Sequence, residues 1–218
     1  QEMFLKIKEN GYIEKNKSVQ AYDAKENKFL PDRYVEGECP KCNYLEARGD
    51  QCDSCGITLD PEELINPKSK ISGNNAEFKE TEHYFLKLSK LNDKLGNWLK
   101  SRQDWRPHVI NFSKSFVEEG LQDRAITRDL DWGIDIPENE LGEGKKIYVW
   151  FEAVIGYLSA SKEWAINNGT PDAWKDFWLD EKAESYYFVG KDNVPFHAVI
   201  WPAMLLAYGD LNLSLIHI

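Results

Sequence analysis

The sequence predicts an α/β protein with a small metal-binding knuckle set into it. Three observations predict this. Strand-like and helix-like patterns alternate from residue 146 onward, the mark of a parallel sheet with crossover helices. All four cysteines fall in GECPKCNYLEARGDQCDSCG, residues 37–56, as two Cys-x-x-Cys hooks. The character of the chain also changes near residue 128. Residues 128–218 carry 7 Lys and Arg against 15 Asp and Glu, whereas the preceding part is nearly balanced at 20 against 22.

The 218 residues suffice for one large domain or two modest ones. A net charge of −10 argues against a surface that coats nucleic acid, although the balanced N-terminal part can still touch a polyanion locally. No run of 18 apolar residues occurs and the mean hydropathy is −0.58, so no membrane span is expected and a cytoplasmic location is. The chain opens on Gln1 and runs at once into MFLKIKENGYI, which reads as the interior of a longer protein.

In chain order, residues 1–35 read as short elements and turns, with Leu30-Pro31-Asp32 a loop entering the knuckle. In the knuckle, Cys39 with Cys42 and Cys52 with Cys55 turn four thiolates toward one point, a donor set suited to tetrahedral zinc. Pro40 stiffens the first hook and Gly56 suits a positive φ at the exit of the second. Two disulfides are the structural alternative, and a redox pair a weaker one. Such knuckles most often supply folding energy and sometimes bind nucleic acid. LDPEELINPKSKISGNNAEF (59–78), punctuated by Pro, Gly and Asn, reads as irregular connection. HYFLKL (83–88) alternates as a strand does. Over 89–101, Leu91, Leu95, Trp98 and Leu99 form a helical stripe behind Ser89 as N-cap. A second helix spans 106–120, with Val109, Phe112 and Phe116 inward and Gly120 as its stop.

KIYVWF (146–151) reads as a buried strand, followed by a helix to Gly169 and a short one capped by Thr170 and begun by Pro171. ESYYFVG (184–190) reads as another buried strand, and NVPFHAVIWPAMLLAYG as a helix of about 16 residues. Ligands of parallel sheets bind where strand ends feed helix starts. Two stretches lie at such junctions. In FVGKDNVPFH, Gly190 permits close approach, Asp192 follows it, and Asn193 and His197 share a helix face. In YVWFEAVIGY, Trp150, Ala153 and Tyr157 can wall an apolar pocket with one polar tip. A well-capped helix and ordinary core packing are the plain alternatives, and two such stretches at successive strand ends favour a site.

LPDRYVEGECPKC, CDSCG, LINPKSKISG, TEHYFLKL, AITRDLDWGIDIP, IYVWFEAVIGY and FVGKDNVPFHAVIWPAMLL occur in this order over about residues 1–213. In this the chain closely resembles the methionyl-tRNA synthetases, a family of class I aminoacyl-tRNA synthetases; the final SLIHI fits less clearly. The resemblance implies a Rossmann-type catalytic domain split by an inserted connective-peptide domain that carries a four-cysteine zinc knuckle. Residues 1–127 would be most of the insertion and residues 128–218 the second half of the Rossmann domain. Trp150, Ala153, Tyr157 and His197 would surround a methionine side chain, with Asn193 beside them. Val154 stands where many relatives have proline. Arg128, in the TRD triplet, would meet the amino-acid carboxylate or neighbouring acids. Gly190 and Asp192 would lie on the adenosine side, Asp192 by the ribose. The expected cofactor is one structural zinc per chain. ATP with Mg is a substrate, methionine and tRNA(Met) are partners, and no membrane is involved.

Aromatic rings, a Tyr hydroxyl and an imidazole around a polarizable thioether make a sensible selector. The family's His-Ile-Gly-His and Lys-Met-Ser-Lys-Ser type motifs, which handle the ATP phosphates, do not occur in these 218 residues, nor does the anticodon-binding helical domain. The whole protein is therefore expected to be the enzyme and this stretch alone to be inactive. Two alternatives stand beside this: another class I synthetase for an apolar amino acid, and a zinc-ribbon nucleic-acid-binding module with an α/β appendage.

Overall fold

Two hydrophobic cores, joined by a long antiparallel ribbon, organise the chain. The computed structural model describes all residues except 51, 56, 58, 103, 131, 139, 181, 191, 192, 210, 212–214 and 218, and omits the side chains of residues 150 and 215–217. Helix α1 (Glu2–Glu9) leads into strands β1 (Ile13–Asp23), β2 (Lys28–Phe29), β3 (Val35–Glu38), β4 (Ala47–Arg48), β5 (Ile65–Ser69) and β6 (Glu77–Leu86). Helices α2 (Asn92–Lys100) and α3 (Pro107–Glu118) follow, then β7 (Arg124–Ala125), β8 (Thr127–Asp129) and β9 (Lys145–Ile147). The last part holds α4 (Val149–Asn167), α5 (Lys175–Trp178), β10 (Ser185–Tyr187), α6 (Trp201–Tyr208) and β11 (Leu215–His217).

Strand β1 pairs with β6 from Ile13↔Leu86 to Tyr22↔Glu77, flanked by β2 and β7 in the order β2-β1-β6-β7. Near one end of this ribbon Ile13, Tyr84 and Leu86 join the main core, where α1 packs Met3, Phe4 and Ile7. Phe4 meets the Tyr84 ring edge-on at 5.2 Å and the Phe151 ring at 6.3 Å, so one side chain ties α1, β6 and α4 together. The main core therefore draws residues from both sides of position 127. At the other end Ala21 joins the second core, with Leu30, Val35, Cys39, Ala47, Cys52, Leu59 and Leu64. That core backs the small sheet β4-β3-β5.

Several elements differ from the sequence expectation. Residues 1–35 hold a helix and an eleven-residue strand rather than short pieces. IEKNKSVQAYD shows little hydrophobic alternation because most of β1 is solvated on both faces and is held by its pairing with β6. Within 59–78, β5 pairs with β3, and Asp60 and Glu63 cap the turn before it reciprocally. The strand expected at 83–88 begins at Glu77 and ends at Leu86, where a 3-10 turn over Leu88–Leu91 takes over. Ser89 is no N-cap; its amide and hydroxyl both donate to Asp123.

On α3 the buried positions are Val109, Ile110, Ser113 and Val117; Phe116 is half-buried and Phe112 faces outward, its ring tilted against that of Phe116 at 5.7 Å. Gly120 takes φ +89° just past that helix, as a stop requires, and Gly169 takes +71° after α4.

The larger correction concerns 146–151. Its strand ends at Ile147 and pairs antiparallel with β8, and the helix starts at Val149. The Tyr148 N–H donates to the Ile126 carbonyl at 2.8 Å, which anchors the turn into α4. An apolar run alone does not separate a strand from the first turn of a buried helix. The stretch after Thr170 is a turn, and its helix begins only at Lys175. ESYYFVG keeps strand form over Ser185–Tyr187, and Phe188 is 77% exposed. Among the described residues the parallel pairing is that of β10 with β11, inside the SLIHI segment. The last helix opens with a wide π-type turn over Phe196–Ile200 before α6. Pro202 lacks the N–H that the Ala198 carbonyl would use in an α-helix, which favours the wider turn.

Candidate functional site

The knuckle is built by turns that the sequence punctuates. The Asn43 amide donates to the Cys39 carbonyl at 3.0 Å, and φ +57° at Asn43 turns the chain back so that the Tyr44 carbonyl accepts the Cys39 amide at 2.8 Å. The second hook is closed by the Cys52 amide on the Ile57 carbonyl at 2.9 Å. Gly56 lies outside the described residues. The four Sγ atoms fall within 4.8 Å of one another, with Cys39 and Cys55 at 3.8 Å and Cys42 and Cys52 at 3.6 Å. Sulfurs held ~2.3 Å from one centre sit about 3.8 Å apart along tetrahedral edges. A disulfide needs ~2.05 Å, so the alternative of two bridges fails and the cysteines are free. The cluster can hold a metal ion. Burial opposes the Cys39 thiolate, yet the amides of Cys42 and Lys41 and the neighbouring thiols bring it down to about 7. Cys42 is favoured as a thiolate by the Tyr44 amide, but burial and the other thiols push it up to about 11.

The second group of side chains gathers around His197. Its ring is 7% exposed and sits in the wide turn that opens the last helix, a local form often found at functional sites. Nδ1 lies 3.0 Å from the Asn193 carbonyl, which only accepts; Nδ1 therefore carries the proton in the neutral ring. Nε2 is then an acceptor, and the Tyr157 hydroxyl donates to it at 2.7 Å. The Tyr157 ring meets Tyr187 edge-on at 5.0 Å, and His197 lies 5.7 Å from each tyrosine ring. Tyr187 accepts a hydrogen bond from Trp201 Nε1 at 3.1 Å, and burial pushes its hydroxyl up to about 12, so it stays neutral. Val154 is buried, whereas Ala153 and Tyr157 on the same helix are exposed.

Of the sequence candidates, Tyr157, Asn193 and His197 are in direct contact, and Val154 and Ala153 flank Tyr157 on α4. Asn193 makes its contact through the main-chain carbonyl. A Cβ added at Gly190 would meet nothing closer than the Asn193 amide at 4.0 Å, so the protein itself imposes no close approach there. Asp192 and the Trp150 side chain lie outside the described residues. Arg128 stands elsewhere. Its guanidinium covers the Tyr148 ring at 4.2 Å and donates from Nη1 to the carbonyls of Ala125 (3.1 Å) and Thr127 (2.9 Å). Burial holds the Asp32 carboxyl, in the loop before the knuckle, above its ordinary range, and the charge of Arg128 works against this.

Sequence reasoning missed Tyr148, Tyr187 and Asp32. The first two sit inside apolar runs where a tyrosine reads as core, and nothing local marks Asp32.

Residues 1–217 match the family model described as tRNA synthetases class I (M). The chain is 51% identical over 213 residues to the methionine–tRNA ligase of Thermoplasma acidophilum, covering 98% of this chain and 39% of that protein. It is 58% identical over 214 residues to the methionine–tRNA ligase of Dehalococcoides mccartyi, covering 98% of this chain and 38% of the relative. It thus spans about two fifths of the length of the curated relatives it matches. Among solved structures, the free methionyl-tRNA synthetase of Mycobacterium tuberculosis superposes with a TM-score of 0.62 at 25% identity, over 99% of this chain and 37% of that one. The same enzyme bound by methionyl-adenylate gives 0.61 at 23%, over 99% of this chain and 36% of that one, which bears on the fold alone. Among the described residues no helix is long and apolar enough to cross a membrane.

Proposed function

The chain belongs to the tRNA synthetases class I (M), and from that premise we propose that it is part of a cytoplasmic methionine–tRNA ligase. In the whole enzyme the methionine carboxylate attacks the α-phosphate of ATP, pyrophosphate leaves with its Mg, and methionyl-adenylate forms. A terminal hydroxyl of tRNA(Met) then attacks the activated carbonyl and AMP departs. No side chain of this chain serves as a covalent nucleophile; its contribution is positioning and electrostatics.

The observation that carries the reading is the closed Tyr157–His197 pair against Tyr187, beside buried Val154. Rings, a hydroxyl and an imidazole there suit a thioether side chain. Trp150, Ala153 and Asn193 would complete this wall. Leucine or isoleucine lacks the sulfur, though an apolar exchange alone separates substrates by only ~1–3 kcal/mol. Arg128, braced on Tyr148, would face the amino-acid carboxylate or adjoining acids, and Gly190 and Asp192 the adenosine. The open surface at Gly190 supports close approach by a ligand.

We assign residues 1–127 to most of a connective-peptide insertion and 128–218 to the second Rossmann half, the two sharing the main core. We assign zinc to the cysteine cluster, since four thiolates with no further donor among the described residues make a closed structural site. It clips the small sheet and takes no part in the chemistry. The match along residues 1–217 favours the synthetase reading over the zinc-ribbon nucleic-acid module.

The test is methionine-dependent ATP–pyrophosphate exchange. The whole protein should exchange with methionine and not with leucine, and the isolated 218-residue chain should be inactive. Exchange by the isolated chain, or equal rates with leucine, would overturn the assignment.

A further inference from the structure

His83 is wholly buried on β6, and it sits in a polar cluster that the proposed reaction does not use. Its Nδ1 lies 3.0 Å from Thr127 Oγ1, and the same oxygen accepts the Tyr84 amide at 3.0 Å. Its Nε2 lies 3.0 Å from Asp129 Oδ2, off the line of a good hydrogen bond. Asp129 also pairs with Lys145 Nζ at 2.7 Å and accepts from Thr81 Oγ1 at 3.1 Å, while Lys145 donates to Thr81 Oγ1 at 2.6 Å. Burial holds the His83 imidazole below its ordinary range, with Asp129 working against it. A neutral ring with its proton on Nε2 fits these contacts: Thr127 donates to Nδ1, and Nε2–H faces the carboxylate.

Buried charges and hydroxyls of this kind carry a desolvation cost, and their arrangement fixes geometry more than it adds stability. What they fix is the β8–β9 hairpin, held to β6 through Thr127 on one side and Asp129 with Lys145 across the register on the other. Arg128 lies between Thr127 and Asp129 on the strand, so its side chain leaves from the opposite face, over Tyr148. The residue before this pair, Ile126, receives the Tyr148 amide and gives its own amide to the Tyr84 carbonyl at 2.8 Å. Strand β6, the hairpin and the start of α4 are thus hydrogen-bonded in series.

We propose that the His83–Thr127–Asp129–Lys145 cluster, buried at His83 and Thr127 and half-buried at Asp129 and Lys145, is a positioning unit that fixes Arg128 and the first turn of α4, and through them the amino-acid side of the substrate pocket. This rests on the methionine–tRNA ligase reading. These residues touch neither substrate; they act through Arg128 and Tyr148.

The test uses the whole synthetase. Thr127→Val keeps the shape and removes the hydroxyl that joins His83 to the Tyr84 amide; Thr127→Ser restores it. Thr127→Val should raise the methionine KM by roughly ten- to a hundredfold, the range for a small misplacement of a substrate-positioning group, with the ATP KM changed by less than about twofold. Thr127→Ser should recover most of the loss. Hydrogen exchange at the Tyr148 amide should quicken in Thr127→Val while exchange in α6 does not. An unchanged methionine KM with a slow Tyr148 amide, no rescue by serine, or KM values for both substrates rising alongside a general loss of protection would overturn the proposal. If Thr127→Val does not fold, Lys145→Gln, at the edge of the cluster, carries the same comparison. Wild-type protein without methionine-dependent exchange would sink the functional reading, whereas the Tyr148 amide still decides whether the clamp exists.

Discussion

Replacing Tyr157 by phenylalanine removes one atom and isolates one contact. The hydroxyl donates to His197 Nε2 at 2.7 Å, and the opposite nitrogen of that ring is committed to the Asn193 carbonyl. His197 cannot switch tautomer to compensate without abandoning that carbonyl. A hydrogen bond is worth ~0.5–1.5 kcal/mol net, and stranding a buried acceptor costs ~1–3 kcal/mol. Tyr157 is 41% exposed, so water can enter where the hydroxyl was and the expected cost falls near 1 kcal/mol. The ring contact with Tyr187 at 5.0 Å is retained in the variant. A double-mutant cycle with His197→Leu cancels the loss of the Asn193 contact, which is common to two of its corners, and should return a coupling of about 0.5–1.5 kcal/mol. The measurement is urea unfolding of the four proteins, read as midpoint shifts at constant slope. In the whole synthetase a loss near 1 kcal/mol at the pocket corresponds to roughly fivefold in the methionine KM. A coupling below about 0.3 kcal/mol, or an unmoved KM, would show that the two side chains are neighbours without being partners.

Three further outcomes follow from the same geometry. Metal analysis should find one zinc per chain, and Cys52→Ser should abolish it and speed hydrogen exchange over residues 35–69 while leaving α2 and α3 protected; no metal in the wild type would refute the knuckle. Phe4→Ala should cost about 3–5 kcal/mol, because the ring is fully buried between Tyr84 and Phe151, and should lower the melting temperature by about 6–20 °C; a small effect would mean that α1 is not docked. The hydroxyls of Ser69 and Ser72 hold the Asp23 carboxyl down to about 2, against burial, with help from the Glu26 and Lys25 amides. With the folded value below the unfolded one of ~3.9, this stabilisation is present above pH ~4 and is lost as pH falls toward 2, so Asp23→Asn should flatten the acid limb of the stability curve in that window.

What the sequence disclosed depended on how local the signal was. The cysteine hooks were legible because four ligands in a short span carry their own geometry. The stripe of Leu91, Leu95 and Leu99, running from the 3-10 turn into α2, was legible because its period is that of its burial. Strand β1 was not, since a ribbon wet on both faces has no apolar period and depends on a partner more than fifty residues away. The boundary at Ile147 was hidden because Tyr148 to Phe151 stay apolar whether extended or helical. Tyr157 and His197 each stood out in its own stretch, but their meeting, the carbonyl of Asn193 and the face of Tyr187 that complete their surroundings come from tertiary contacts. His83 and Asp129 lie 46 positions apart, so their meeting has no local trace.

The ribbon of β1 and β6 also makes the knuckle a replaceable cassette. Ala21 and Phe78 face each other across the two strands, so the chain leaves for the knuckle and returns from it side by side. Directly opposed residues of an antiparallel pair are only ~4.5–5.5 Å apart, a gap that a two-residue Asn-Gly turn closes in register. Everything between those positions can therefore be cut out, or exchanged for a foreign module with neighbouring ends, without asking the rest of the chain to rethread. Knuckles of other sizes and metals could be grafted at this point as interchangeable heads on one stem.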